Sequence, residues 1–282
     1  MTTAPEIETD EPGQTDGAPD AAPAEAAADS PAHWFGFTRI APAEKAARVR
    51  AVFDSVAPRY DLMNDLMSAG IHRLWKAAMI DWLAPRPGMA LLDVAGGTGD
   101  IADRFLDRIA ARETAPQDNG RAIVCDINAA MLAAGRDRRL DAGRVGAVSW
   151  LCGDAEALPI ADGSVDAYTI AFGMRNVTHI ERALAEARRV LKPGGRFLCL
   201  EFSRVVIPAL AALYDRYSFA VLPRLGRLVA GDAEAYAYLA ESIRRFPDQD
   251  RFAAMIQAAG LEQVKLRNLS GGIAALHSAW RI

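Results

Sequence analysis

The chain has few of the residues that build metal centres. Its 282 residues include four histidines and three cysteines, Cys125, Cys152 and Cys199, and their spacing matches no zinc pattern. An odd number of dispersed thiols, each in an apolar stretch, is typical of reduced, buried residues in a cytosolic protein. We therefore expect no metal site and three buried cysteines that serve only in packing.

The sequence also lacks long apolar runs and a strong excess of basic residues. No uninterrupted apolar stretch reaches the roughly 18–20 residues that span a bilayer, so any membrane contact is expected to be peripheral. The formal net charge is −4, and residues 1–32 contain eight acids without a lysine or arginine, which leaves the remaining chain at +4. This mildly basic charge suits an anionic membrane surface and is too small to indicate nucleic-acid binding.

Residues 1–32 lack the apolar side chains that a folded segment needs. They are rich in Ala, Pro, Asp and Glu, a composition that cannot bury enough surface to offset the entropy of ordering. The segment has neither the basic and apolar regions of a signal peptide nor the arginines of a transit peptide. We expect a disordered acidic tail over 1–32, one domain over 33–282 and a cytoplasmic protein.

A glycine-dense loop follows the first apolar run of this domain. Residues 91–94 lead into Ala-Gly-Gly-Thr-Gly-Asp at 95–100, and a helical pattern begins there. A strand–loop–helix unit of this kind presents free backbone N–H groups to a ligand, although an ordinary tight turn has the same pattern. The loop has no Lys followed by Ser or Thr after its glycines, so it is not a P-loop. It matches only a relaxed form of the dinucleotide-binding fingerprint. Asp93 and Asp100 beside it disfavour a pyrophosphate and suit a ligand with an ammonium and a sulfonium group.

Further acids follow the next two predicted strands. Asp126 ends the apolar run at 122–126, where a carboxylate can accept hydrogen bonds from both hydroxyls of a ribose. The alternative is that Asp126 is a helix N-cap. Asp154 and Glu156 follow the run at 147–152, where an acid can accept from an adenine amino group or only shape the loop. In a parallel sheet these strand ends converge on one crevice.

These signals together resemble the class I S-adenosylmethionine-dependent methyltransferases. They cover about residues 90–203 and are D-x-x-G-G-T-G at 93–99, Cys-Asp at 125–126, Gly-Asp-Ala at 153–155 and Leu-Lys-Pro-Gly-Gly at 191–195. More specific segments resemble one family within that class, the ubiquinone/menaquinone biosynthesis C-methyltransferases, and the likeness runs from about residue 35 to residue 282. Those segments are 52–68, 71–76, 172–178 and 236–243.

The resemblance implies S-adenosylmethionine as the cofactor and assigns its binding residues. These are Gly96, Gly97, Thr98, Asp126, Asp154 and Ala155. Asp154 and Ala155 are expected against the adenine. One departure is Ala171, which stands where family members often carry a hydroxyl residue before Phe-Gly, so a side-chain hydrogen bond to the cofactor is absent there.

The resemblance also implies C-methylation of a polyprenylated quinol. Loss of a phenolic proton pushes electron density onto the ortho ring carbon, so a base and a phenolate-stabilising group are expected. Tyr60, Arg175 and Asn176 are the catalytic candidates, since they lie in the family-specific segments. Arg175 cannot be a base at neutral pH but can stabilise a phenolate or lower the pKa of a nearby Tyr or water. The alternatives are helix capping for Arg175 and Asn176 and core packing for Tyr60; His179, expected to be exposed, is a weaker candidate.

Alternating patterns predict a doubly wound, mostly parallel, Rossmann-like sheet. The predicted strands are 90–95, 122–127, 147–152, 165–172 and 196–202, and the predicted helices between them are 100–111, 129–140 and 179–191. Gly194 and Gly195 are expected to stop the last of these helices. We further expect N-terminal helices over 42–84, a helical insertion over 205–245 that covers the site, and a final antiparallel hairpin over 261–281.

Several points stay open at this level. The acceptor is either a demethylmenaquinol or a 2-methoxy-6-polyprenyl-1,4-benzoquinol, or both, and the tail length and the general base are undetermined. The oligomeric state is undetermined, and both a homo-oligomer and a quinone-biosynthesis complex stay open. A non-catalytic lipid-binding or scaffold subunit is disfavoured by the intact cofactor motifs, and a nicotinamide-dependent oxidoreductase by the acids around the loop. We expect peripheral contact with the inner face of the cytoplasmic membrane and no nucleic-acid partner.

Overall fold

A computed structural model describes residues 34–56, 65, 68, 70–112, 120–217, 220 and 233–282. The expected acidic tail at 1–32 and the candidate Tyr60 lie outside these residues, so both stay predictions. The described helices are α1 Pro42–Val56, α2 His72–Leu83, α3 Asp100–Ala110, α4 Ala129–Asp141, α5 Ile180–Val190, α6 Pro208–Arg216, α7 Ala233–Arg245 and α8 Gln249–Ala258. The described strands are β1 Trp34–Phe35, β2 Thr38–Arg39, β3 Ala90–Val94, β4 Arg121–Asp126, β5 Val148–Cys152, β6 Val165–Ala171, β7 Leu191–Phe202, β8 Glu262–Leu269 and β9 Ala274–Trp280.

Seven strands form one sheet in the order β5-β4-β3-β6-β7-β9-β8. The five strands from β5 to β7 are parallel, and β9 is antiparallel to both β7 and β8. The prediction of a doubly wound, mostly parallel sheet closed by an antiparallel hairpin is confirmed. Within that hairpin it is the second strand, β9, that pairs with β7, and β8 forms the edge.

The two faces of the sheet pack against different helices because side chains alternate along each strand. Every residue of β3 is buried, and its neighbours Leu91 and Leu92 belong to separate apolar clusters. One cluster holds the apolar side chains of α2 and α3, and the other holds those of α5 and α8. The glycine loop therefore follows directly from a strand that is packed on both of its faces.

The start of β7 differs from the prediction. Helix α5 ends at Val190 and β7 begins at Leu191, so Gly194 and Gly195 lie inside the strand and do not stop the helix. Pro193 lacks the N–H that a continuing helix needs. Gly194 has a φ of 76°, which bends the strand, and its N–H donates to the Arg281 carbonyl at 2.6 Å.

The prediction of buried cysteines is correct for two of the three. Cys125 and Cys199 are buried, whereas Cys152 is exposed. Cys152 ends β5, which is the edge strand of the sheet. An apolar run at an edge is covered on fewer sides than one at the centre, and the local pattern does not distinguish the two.

The predicted insertion over 205–245 contains α6 and α7. Its residues 218–219 and 221–232 lie outside the residues that the structure describes. Leu239 and Ile243 of α7 join the core cluster that also contains α2, so this part of the insertion is anchored to the body. In the part of the chain that the structure describes, no helix combines the length and the apolar character needed to cross a bilayer.

Candidate active site

A cavity of about 830 Å³, counted with the solvent at its mouth, lies at the carboxyl ends of the parallel strands. We call it the main cavity. It brings together five of the nine predicted site residues, namely Gly97, Asp126, Asp154, Ala155 and Asn176. Val49 and Arg50 of α1 also line it, as expected if the helices ahead of the first long strand cover the site.

Asp126 ties the glycine loop to the second parallel strand. Its Oδ2 accepts from the Gly97 N–H at 2.8 Å, and its Oδ1 accepts from the Asn128 N–H at 2.8 Å. Burial raises the pKa of the Asp126 carboxyl, and these N–H groups oppose the rise. The N-cap of α4 is Asn128, whose side chain accepts from the N–H groups of Ala130 and Met131. The N-cap alternative for Asp126 is therefore wrong.

A smaller cavity adjoins the glycine loop on the side of α2. This side cavity, of about 370 Å³, shares Ala95 and Gly97 with the main cavity. The predicted residues Gly96 and Thr98 line it, together with Lys76 and Asp93. The loop thus separates two spaces that are both lined by charged side chains, and the smaller one combines Lys76 with Asp93 and Asp100.

Glu156 shapes the start of α5. Its Oε1 accepts from the N–H groups of Thr178 and His179, each at 2.9 Å, and its Oε2 lies 2.8 Å from His179 Nδ1. This carboxylate therefore holds the two residues just ahead of α5, the second of which is the N-cap of that helix, and its negative charge is favourable beside a helix N-terminus. The expectation of an exposed His179 is only partly met, because the imidazole is held by Glu156 and is 36% exposed.

Arg175 forms a buried ion pair with Glu201 at the end of β7. Its Nη1 lies 2.8 Å from Glu201 Oε1, and both side chains are 1% exposed. Arg175 also donates to the Phe172 carbonyl, and its backbone N–H donates to Glu201 Oε2 at 3.2 Å. Arg175 does not cap α5, so that alternative is wrong. The guanidinium holds the turn that follows β6 and is not among the groups that line the main cavity.

Asn176 lines the main cavity and is held from behind by α7. The Tyr238 hydroxyl donates to Asn176 Oδ1 at 3.0 Å. Tyr238 is itself buried and stacks on Phe35 of β1, with ring centroids 4.2 Å apart and an interplanar angle of 17°. Burial raises the pKa of the Tyr238 hydroxyl, which therefore stays protonated as a donor. Asn176 has no capping role either.

Three residues in contact with this site were not identified from the sequence. Lys76 and Tyr238 lie in the family-specific segments 71–76 and 236–243, so the resemblance gave a signal for both. Glu201 follows an apolar run at the carboxyl end of a strand, which is the same signal that identified Asp126. In the described ranges, no group of three or more His, Cys, Asp or Glu side chains could hold a metal ion.

The comparisons with known proteins agree with this geometry. The model of the ubiE/COQ5 methyltransferase family matches residues 42–281. A Paracoccus denitrificans protein named ubiquinone/menaquinone biosynthesis C-methyltransferase UbiE is 58% identical over 248 residues, which are 88% of this chain and 96% of that protein. A Brucella canis protein of the same name is 55% identical over 252 residues, which are 89% and 91% of the two chains.

A solved structure shows the same fold at much lower identity. The crystal structure of a SAM-dependent methyltransferase from Aquifex aeolicus has a TM-score of 0.54 and 15% identity, and the match covers 73% of this chain and 89% of that chain. At this identity the likeness establishes the fold alone. It confirms the predicted Rossmann-like architecture of the class I methyltransferases.

Proposed function

We propose that this chain, which belongs to the ubiE/COQ5 methyltransferase family, methylates a ring carbon of a polyprenylated quinol in ubiquinone and menaquinone biosynthesis. The observation that carries the proposal is the 58% identity to the Paracoccus denitrificans enzyme over 96% of its length. Membership of this family excludes the nicotinamide-dependent alternative. Both acceptors, the demethylmenaquinol and the methoxy-benzoquinol, stay within the proposal.

S-adenosylmethionine is the cofactor of this family, and the residues around the loop fit it. Half-buried Asp126 faces the main cavity, and Gly96 approaches Asp93 so closely that a Cβ there would lie 2.7 Å from Asp93 Oδ2. We assign the ribose to Asp126, the adenine to Asp154 and Ala155, and the remainder of the cofactor to the loop residues Gly96, Gly97 and Thr98. When bound, S-adenosylmethionine supplies a methyl group activated by its sulfonium.

Acceptor activation is assigned to the turn after β6 and to Tyr60. Because the Tyr238 hydroxyl occupies Asn176 Oδ1, the group that Asn176 offers to a ligand is its NH₂. That group can donate to the phenolic oxygen as negative charge develops there. Arg175 and Glu201 hold this turn from beneath, so Arg175 is a positioning residue in this proposal. Tyr60, which lies outside the described residues, is kept as a catalytic candidate, and this proposal assigns no residue as the general base.

Tyr238→Phe is expected to lower kcat roughly two- to tenfold, in keeping with the loss of one neutral hydrogen bond. Without the hydroxyl, the Asn176 amide is free to turn its oxygen toward the acceptor. Cofactor affinity measured by calorimetry should stay unchanged. The matched control is Tyr168→Phe, which removes a buried hydroxyl that lacks a hydrogen-bond partner among the described residues. Equal turnover in both variants would contradict the positioning role.

A surface beside the Ser270–Gly272 turn fits peripheral contact with lipid. Trp75 Nε1 donates to Ser270 Oγ at 3.0 Å, and the Val206 N–H donates to the Gly271 carbonyl at 2.9 Å. The start of α2 and the segment before α6 therefore flank the same turn. Both carry exposed apolar side chains, namely Ile71 at 39%, Leu74 at 70%, Val206 at 56% and Ile207 at 50%. We propose that this apolar surface inserts into the bilayer that holds the polyprenyl tail.

Leu74→Glu combined with Ile207→Glu is expected to lower sedimentation with anionic liposomes by about tenfold or more, because two apolar anchors become charged. Reaction with a long-tailed quinol in vesicles should slow in parallel, and reaction with a short-tailed soluble analogue should not. Leu140→Glu is the matched control, since Leu140 is 53% exposed on α4. Unchanged liposome binding in the double variant would contradict this surface.

A further inference from the structure

A third cavity, which we call the rear cavity, has a volume of about 300 Å³ when the solvent at its mouth is counted. Arg175, which does not line the main cavity, lines this one. Trp34 of β1, Lys45 of α1 and Arg245 of α7 also line it. Among the described residues, none is shared with the main cavity or the side cavity. The rear cavity is therefore separate from the space assigned to the cofactor.

The wall of the rear cavity is positively charged. The described residues that line it include the cations Lys45, Arg175 and Arg245 and no carboxylate. Glu201 opposes the charge of Arg175, and Glu156 acts on Lys45, but burial outweighs Glu156 and lowers the pKa of Lys45 to about 8. A buried cation is costly to keep charged. A negative charge inside this cavity would therefore be favourable.

Two buried N–H groups of the wall have no acceptor in the part of the chain that the structure describes. They are Arg175 Nε and Trp34 Nε1. Arg175 uses its Nη1 for Glu201 and for the Phe172 carbonyl, and neither contact involves Nε. A buried donor without an acceptor costs free energy that an acceptor placed beside it would recover. Both groups thus mark the place of an acceptor that a ligand can supply.

The cations and donors reach the rear cavity from separate elements. Lys45 Nζ donates to the Val177 carbonyl at 3.0 Å, which fixes the ammonium beside the turn after β6. The guanidinium carbon of Arg245 lies 3.5 Å from the centroid of the Trp34 ring, so this cation and the indole N–H are held together. Groups that converge from several directions suit an anion with acceptor oxygens on several sides. A phosphate group has such oxygens.

We infer that the rear cavity binds a phosphate-class oxyanion, with Arg175 Nε and Trp34 Nε1 as donors and with Lys45 and Arg245 as opposing charges. Free phosphate and the phosphate of a lipid headgroup both supply this chemistry. The inference goes beyond the proposed function and depends neither on the quinol nor on the cofactor. Arg175 and Tyr238 line the cavity and also hold the turn that carries Asn176. A bound anion is therefore expected to stabilise that turn.

The test is thermal unfolding and calorimetric titration of the full chain with inorganic phosphate, at an ionic strength kept constant with sodium chloride. For a Kd of about 1 mM, roughly 20 mM phosphate should raise Tm by about 4–7 °C. Lys45→Met is expected to weaken phosphate binding about 10- to 100-fold, as for the loss of a charge-assisted contact. Trp34→Phe keeps a ring beside Arg245 and removes only the N–H, so binding should weaken about 3- to 10-fold.

Lys192→Met is the matched control, because phosphate also stabilises proteins without binding to a site. Lys192 pairs with Asp166 at 2.7 Å and does not line the rear cavity. This variant should bind phosphate as the wild type does. A cooperative unfolding transition without phosphate shows that each variant is folded.

Vesicles that contain phosphatidic acid distinguish the two sources of the anion. If a lipid headgroup is the ligand, Lys45→Met should sediment with these vesicles less than Lys192→Met does. If free phosphate is the ligand, the two variants should sediment equally, and either result supports the inference once phosphate binding is measured. Absence of phosphate binding to the wild type at about 10 mM would overturn it. The same holds if Lys45→Met and Trp34→Phe bind phosphate as tightly as Lys192→Met.

Discussion

Arg175→Ala is expected to lower the free energy of unfolding by about 3–5 kcal/mol, which is the cost of leaving a buried charge without its partner. The charge in question is Glu201, whose side chain is 1% exposed and whose only described cationic partner is Arg175. Turnover should also fall by about ten- to a thousandfold, since the turn that carries Asn176 loses its anchor. Thermal unfolding and steady-state kinetics measure the two effects separately.

A double variant separates the stability of this ion pair from its effect on the reaction. Arg175→Met together with Glu201→Gln removes both charges and keeps one side-chain oxygen. That oxygen can serve the Phe202 N–H, which donates to Glu201 Oε1 at 2.9 Å, but not also the backbone N–H of residue 175, which donates to Oε2 at 3.2 Å. Replacing both partners of a buried ion pair costs less than removing one, because no buried charge is left without its partner. We expect the double variant to recover part of the lost stability, since one backbone N–H is left without its acceptor, and little of the turnover. Wild-type turnover in that variant would show that Arg175 serves the fold alone.

Asp126→Ala is expected to weaken S-adenosylmethionine binding by about 1.5–3 kcal/mol, the range for hydrogen bonds to a charged acceptor. The carboxylate lines the main cavity and also holds the Gly97 N–H. The variant therefore loses both the proposed ribose contact and the anchor of the glycine loop. Calorimetry with S-adenosylhomocysteine measures the loss without the acceptor.

Asp126→Asn is the control for the anchoring effect, because its amide oxygen can still accept from the loop. We expect an affinity between those of the wild type and the alanine variant. Unchanged affinity in a folded Asp126→Ala protein would remove Asp126 from the cofactor site. Another residue of the cavity would then have to accept from the ribose. The adenine assignment of Asp154 and Ala155 would also weaken, because it assumes that the ribose is bound at Asp126.

The parallel part of the fold could be predicted because its signals are local. Buried parallel strands have continuous apolar runs in the sequence, and in the helices between them apolar residues recur every three or four positions. The acids at strand ends were also visible in the sequence. A parallel sheet places such ends along one edge, and Asp126 and Asp154 accordingly line the same cavity.

The partners of the candidate residues could not be predicted, since they come from distant parts of the chain. Arg175 pairs with Glu201, 26 residues away, and Asn176 with Tyr238, 62 residues away. Both contacts depend on how β7 and α7 pack against the turn after β6. Local patterns left helix capping open as the alternative for Arg175 and Asn176, whereas the backbone N–H groups just ahead of α5, those of Thr178 and His179, donate to Glu156 from a preceding loop.

The most direct test of the account is methyl transfer by the purified full-length chain. The protein is given S-adenosylmethionine with a deuterated methyl group and, in anionic vesicles, either reduced demethylmenaquinone or reduced 2-methoxy-6-polyprenyl-1,4-benzoquinone. We expect mass spectrometry and NMR to find the deuterated methyl group on a ring carbon of at least one quinol. A chain that binds S-adenosylhomocysteine but labels neither quinol, or labels only an oxygen, would contradict the account.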